Sequence, residues 1–196
     1  MSLPPDIDPK SGMRLPLPRR EDLDEIGKKG YDRATTTGAT IMGLQGPAGI
    51  QLYTKGAPLV QGLNRYLRFE AGIPPRTREI AILTTAREFD SQFEWAAHEP
   101  EGLKEGVPPQ VVDAIKHRKS TAGLDRKDAI VIELGRQIWR DHKVTPETFA
   151  EAKTQFGPSM LIEIVMLMGI YANTAALLTT VDMQLHPGMK PLLPVP

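Results

Sequence analysis

The 196-residue chain contains no cysteine. Disulfides, thiolate metal ligands and any reaction routed through a nucleophilic sulfur are therefore excluded. It also lacks an excess of charge of either sign: Lys plus Arg and Asp plus Glu each number 24, and the net charge is zero. With no overall field to draw nucleic acid or an anionic membrane surface, the expected partners are small molecules and other subunits. The first residues, Met1-Ser-Leu-Pro-Pro-Asp6, carry neither the basic start nor the apolar run of a secretion signal, so a cytoplasmic location is expected. No segment reads as reaching the roughly 20 apolar residues of a membrane span, and no membrane is expected. The four histidines form no ligand pair with one another, so neither a metal nor another cofactor is expected. Gly43-Leu-Gln-Gly46-Pro-Ala-Gly49 lacks the Lys-Ser/Thr end of a phosphate loop and reads as a plain loop.

What the chain does have is helical periodicity punctuated by proline. Residues 1–20 hold Pro4, Pro5, Pro9, Pro16 and Pro18 and read as an extended N-terminal arm. Residues 21–186 read as a single helical domain, and 187–196 as an extended tail. A helix is predicted over 22–36 with Leu23, Ile26 and Tyr31 inward, closed by Thr35-Thr36-Thr37-Gly38, and an irregular loop over 38–58. From Pro58, Leu59, Leu63, Tyr66 and Leu67 recur at three and four until Gly72 and Pro74-Pro75 stop the helix. Further helices are predicted over 76–89, from Asp90 or Ser91 to just past His98 where Pro100 ends or bends it, and over 108–118, 126–141, 146–156 and 158–183. The last is apolar on nearly every side, which suits a core or a subunit interface. No strand alternation persists, and the expected class is all-α.

Within this pattern Glu79, Ser91, Glu94 and His98 attract attention. Glu94 and His98 are four apart, so on a helix they share a face and can hydrogen-bond. A carboxylate beside an imidazole sets its tautomer and raises its basicity, as general acid or base work requires. A Ser and a Glu three apart also make a capping box, which gives Ser91 and Glu94 an ordinary structural role. Trp95 lends the segment a partly apolar setting. Arg76, Arg78 and Arg87 are candidate clamps for a carboxylate, because a guanidinium matches that anion bidentately.

The spacing from Glu79 through Ser91 and Glu94 to His98 resembles the signature of the alkyl hydroperoxidase D-like and carboxymuconolactone decarboxylase superfamily, with Ser91 and Glu94 at the two cysteine positions. Gly72-Ile-Pro-Pro-Arg-Thr-Arg-Glu79-Ile-Ala-Ile-Leu resembles its lead-in helix, Glu94-Trp-Ala-Ala-His98 its active helix, and Gly106-Val-Pro-Pro-Gln-Val-Val-Asp-Ala-Ile the turn and helix that follow. Met168-Gly169-Ile-Tyr171-Ala-Asn-Thr-Ala-Ala-Leu-Leu resembles the helix that closes the pocket. The resemblance implies an all-α bundle of that type, a homo-oligomer, and a cysteine-free decarboxylase-like member. The implied activity is a cofactor-independent lyase or isomerase acting on a small carboxylated compound of the kind met in aromatic catabolism. His98 would carry the proton, Glu94 orient it and Glu79 stand as a second carboxylate whose crowding raises one pKa. Arg76, Arg78, Arg87, Ser91, Trp95 and Tyr171 would bind substrate. The alternative is a binding or assembly protein that kept the scaffold without catalysis; peroxidase activity through a cysteine pair is ruled out by composition.

Overall fold

A computed structural model of the chain describes residues 3–36 and 42–194. Among them there are eight α-helices and no strand, with one isolated bridge between Asp8 and Met13. The expected all-α class is what folds. Thr37 and Gly38, with the start of the predicted loop, lie outside the described residues. The contacts group the chain into two compact units, one of residues 1–63 and 176–190, the other of residues 64–175 and 191–196.

In the first unit the proline-rich start is tied down by its polar groups. The Asp8 carboxylate accepts from the backbone of Lys10 and Ser11 and closes a tight turn, Arg14 N donates to the Val181 carbonyl, and Gln184 N to that of Gly12. Met13 is completely buried. Helix α1 (Glu25–Thr35) starts where the Asp24 side chain caps the Gly27 amide. It buries only Ala34, and Ile26 is 55% exposed. The predicted inward position of Ile26 is thus not realised, since α1 lies on the surface. Inside the predicted irregular loop a short α2 (Pro47–Gln51) forms, with Pro47 in its first turn, where a missing donor costs nothing.

Helix α3 (Ala57–Phe69) carries the chain into the second unit and ends before Gly72, whose φ of +77° is the left-handed geometry that glycine adopts without strain. Helix α4 (Pro75–Glu88) is the axis of that unit. Every residue from Thr77 to Arg87 is buried, with Ile80, Ala81, Ile82, Leu83 and Ala86 fully so. A helix buried all round has no polar face to give up, which is why polar Arg78, Glu79 and Arg87 are buried with it. Around it pack α5 (Gln92–Lys104), α6 (Pro109–Lys116) and α7 (Arg126–Arg136). The α7 helix widens into a π-type turn over Gln137–Asp141 and stops at His142, whose φ is +52°. Gly135 allows α7 to close on α4: a Cβ there would stand 2.6 Å from Thr84 Cγ2.

Two helix ends decide where the polar groups fall. Between α4 and α5, Asp90 takes φ +50°, while the Ser91 amide donates to the Ala86 carbonyl and Asp90 N to that of Arg87. This is a Schellman closure, and it delivers Ser91 as the N-cap of the next helix. Helix α5 then runs through Pro100 to Lys104 rather than stopping after His98. Proline removes a single intrahelical bond, and the turn beyond it is closed again by Val107 N to Gly102 O and Gly106 N to Leu103 O. Gly102 also brings this end close to α4, since a Cβ there would meet Leu83 Cδ1 at 3.2 Å.

Helix α8 (Pro146–Thr180) is broken at Gly157, with φ 74° and ψ 166°, at the boundary predicted between Phe156 and Pro158. Ile130 and Leu134 of α7 and Ala152 and Leu161 of α8 join in one buried cluster. Each Ile or Leu side chain of the cluster contributes about 1.5–3 kcal/mol by leaving water. The outer face of α8 stays bare, with Ile162 57% and Met166 41% exposed. Contrary to the expectation that no segment reaches that size, α8 is long and apolar enough by length and composition to cross a membrane, a property that the core helix of a soluble protein shares.

Candidate functional site

The buried face of α4 meets that of α5 at Glu79 and His98. Residue 79 lies in the second turn of α4 and residue 98 in the second turn of α5, and the Schellman turn at Asp90 folds one helix back beside the other. Nδ1 of His98 stands 2.8 Å from Oε2 of Glu79, and the two side chains are 6% and 1% exposed. A carboxylate accepts only, so Nδ1 carries the proton it receives, and in the neutral imidazole the lone pair is on Nε2. The other Glu79 oxygen accepts from Arg78 Nε at 3.1 Å. Arg78 in turn donates through Nη1 to the Arg68 carbonyl at 2.8 Å, and its Nη2 lies 3.7 Å from Glu105. A short chain of charge therefore runs from guanidinium through carboxylate to imidazole.

Burial by itself would push the Glu79 carboxyl upward. The hydrogen bond and charge of His98, then the hydrogen bond of Arg78 and the charge of Arg68, outweigh it and hold Glu79 below the ordinary carboxylate range. It is therefore an anion at neutral pH.

Glu94 is the opposite case. It is 2% exposed and neither of its oxygens has a hydrogen-bond partner. Burial pushes its carboxyl up to about 8, with the neighbouring Ser91 hydroxyl pulling the other way. Isolation from water, not crowding by a second carboxylate, raises this group. Glu94 therefore makes no hydrogen bond to His98; the orienting carboxylate is Glu79, from the adjoining helix. Ser91 occupies the N-cap position of α5 without a side-chain capping bond, so the predicted capping box does not close.

Tyr171, on α8, packs against the imidazole. Its ring meets that of His98 edge to face, with centroids 5.1 Å apart and planes at 84°. Burial raises its phenol further from ionisation, Glu79 and Glu94 adding to this and Arg68 opposing it.

The remaining sequence candidates separate cleanly. Arg76 is paired with buried Asp128 of α7. Arg87 is paired with Asp90, at the other end of α4 and about 12 Å along the helix from Glu79 at 1.5 Å per residue. Of the three arginines, Arg78 alone touches the Glu79 carboxylate. Trp95 is fully buried, but its indole N–H donates to Glu99, which also holds Lys116. Arg68 was not among the residues singled out from sequence, yet its charge reaches both Glu79 and Tyr171. Its place in Arg-Tyr-Leu-Arg-Phe, one turn before a helix stop, offers no signal for that.

No group of three or more His, Asp or Glu side chains suited to a metal occurs among the described residues. What the cluster offers is an ionised carboxylate bonded to an imidazole and to a guanidinium, and a carboxyl that stays protonated at neutral pH. No family model matches the chain, and no curated protein matches it either.

Proposed function

We propose that this protein is a cofactor-independent lyase or isomerase of the carboxymuconolactone decarboxylase type, moving a proton to or from carbon in a small carboxylated compound. The observation that carries the proposal is the buried 2.8 Å contact between His98 Nδ1 and Glu79 Oε2. A carboxylate so placed fixes the tautomer and leaves Nε2 as the base, the arrangement by which an imidazole abstracts a proton next to a carbonyl. Glu94, one turn before His98 on α5, supplies the complementary acid. Two titratable groups whose surroundings drive them apart, Glu79 downward and Glu94 upward, divide the roles of base support and proton donor. In a decarboxylation Glu94 gives its proton to the carbon that loses carbon dioxide; in an isomerisation His98 takes a proton from one carbon and Glu94 gives one to another carbon of the same conjugated unit.

The test begins with a thermal-shift screen of carboxylated lactones and keto acids, since a ligand that binds only the folded state raises its melting temperature. Turnover of the hits is then followed in the wild type and in His98→Gln. Loss of turnover by about 100-fold or more, with the melting temperature kept, is the expected result for a general base. Unchanged turnover removes His98 from the mechanism.

A further inference from the structure

Arg68 differs from the three arginines of α4 in having no anion. Arg78 is committed to Glu79 and to the Arg68 carbonyl, Arg76 to Asp128 and Arg87 to Asp90. The side chain of Arg68 is held differently. Its guanidinium carbon lies 4.9 Å above the Phe69 ring, and that of Arg78 lies 5.6 Å from the same ring. Two guanidiniums thus flank one aromatic platform. Arg78 has its carboxylate. The Nε of Arg68 is buried with no hydrogen-bond acceptor, and no carboxylate among the described residues lies within ion-pair distance of its side chain.

A half-buried guanidinium with a dry, unpaired Nε is costly unless an anion arrives from outside. The cation–π contact orients the guanidinium plane without using its in-plane donors. Those donors match a planar carboxylate two at a time. The Phe69 ring joins Arg68 to Arg78, whose guanidinium bonds the Glu79 carboxylate that holds His98, and the Arg68 charge helps to lower Glu79.

Resting on the proton-transfer role of His98, we propose that Arg68 is the substrate anchor: it binds the carboxylate of the small-molecule substrate and sets the adjoining carbon at His98. Arg78 is then a positioning residue that holds Glu79, and the Phe69 ring serves both guanidiniums.

The experiment uses the full chain with benzoate as a simple planar carboxylate and benzamide as its neutral counterpart. Melting temperature is titrated with each for the wild type, Arg68→Gln, Arg68→Lys and His98→Gln. Benzoate is expected to stabilise the wild type and His98→Gln while benzamide does not, and Arg68→Gln to need at least about tenfold more benzoate, as for a lost charged hydrogen bond. Arg68→Lys keeps the charge and loses the fork; it is expected to fall between the two, and it stands in if Arg68→Gln does not fold. Benzoate affinity unchanged in both Arg68 variants, or benzoate and benzamide acting alike on the wild type, overturns the anchor while leaving the Glu79–His98 pair untouched. Full turnover in His98→Gln, with benzoate binding still dependent on Arg68, overturns the proton-transfer role and keeps the anchor.

Discussion

Oε2 of Glu79 and Nδ1 of His98 are joined at 2.8 Å across two helices, in a region where neither side chain is more than 6% exposed. Glu79 is also the counter-ion of Arg78, itself buried. Replacing Glu79 by Gln therefore leaves a buried guanidinium without its anion as well as an imidazole without its acceptor. Removing one partner of a buried pair costs about 3–5 kcal/mol. Urea unfolding should show Glu79→Gln destabilised by that order and His98→Gln by distinctly less. If the two variants lose the same stability, Arg78 does not depend on Glu79.

Arg76 and Arg78 are two residues apart yet play unrelated parts. Arg76 is 40% exposed at its side chain and faces Asp128, which is 5% exposed. For Arg76→Ala we expect a loss of about 1–3 kcal/mol, because a buried carboxylate is left unpaired while water reaches part of the site. Benzoate affinity should be unchanged. An Arg76→Ala variant with weakened benzoate binding and wild-type stability would place that arginine in the substrate site instead.

How much of this was legible beforehand depends on the range of the interaction involved. Gly72, the Pro74-Pro75 stop and the break before Pro158 are local backbone constraints, and the helices they bound fold where proline and glycine place them. Pro100 misled because its effect is also local. It deletes one bond, and the chain recovers through the Schellman closure at Gly106, a motif that depends on φ +86° more than on any pattern of side chains. Ile26 and Ile162 show the limit of periodicity: it finds an apolar stripe without saying what covers it. The site divides in the same way. Glu94 and His98 share a helix face, as four-residue spacing requires, but which carboxylate bonds the imidazole was decided by the packing of α4 on α5. Arg68 was invisible because lacking a partner is a tertiary property.

Gly135 provides a test of that packing. A methyl group at this position would stand 2.6 Å from Thr84 Cγ2 and 3.4 Å from Met168 Cε. Thr84 is β-branched and buried in α4, so it has little freedom to turn aside. Gly135→Ala should cost about 1–3 kcal/mol despite the better helix propensity of alanine. Adding Thr84→Ala removes the methyl it strikes, and the double variant should recover part of the loss, giving a coupling energy measurable by urea unfolding. Strict additivity of the two changes would mean that α7 does not press on α4 at this point.

The strongest pH signature belongs to Glu94. Its carboxyl titrates near 8 in the folded chain, because burial without a hydrogen-bond partner disfavours the anion, against an ordinary value of 4.5. Folding therefore takes up a proton between those limits. Stability from this group is fully present below about pH 4.5, declines as pH rises by about 1.4 kcal/mol per unit, and levels off above about 8. Glu79 works in the opposite sense: held below its ordinary range, it contributes stability above that range, which is lost in acid as pH falls through its folded value. Between pH 5 and 8 the slope should therefore be that of Glu94. Glu94→Gln cannot ionise, so the variant should lose this decline and become more stable than the wild type at pH 8 while remaining close to it near pH 5. Parallel urea titrations across that interval decide the matter. A wild type and a Glu94→Gln variant with the same pH slope would mean that Glu94 is ionised in the folded protein, and the acid in the proposed reaction would have to be sought elsewhere.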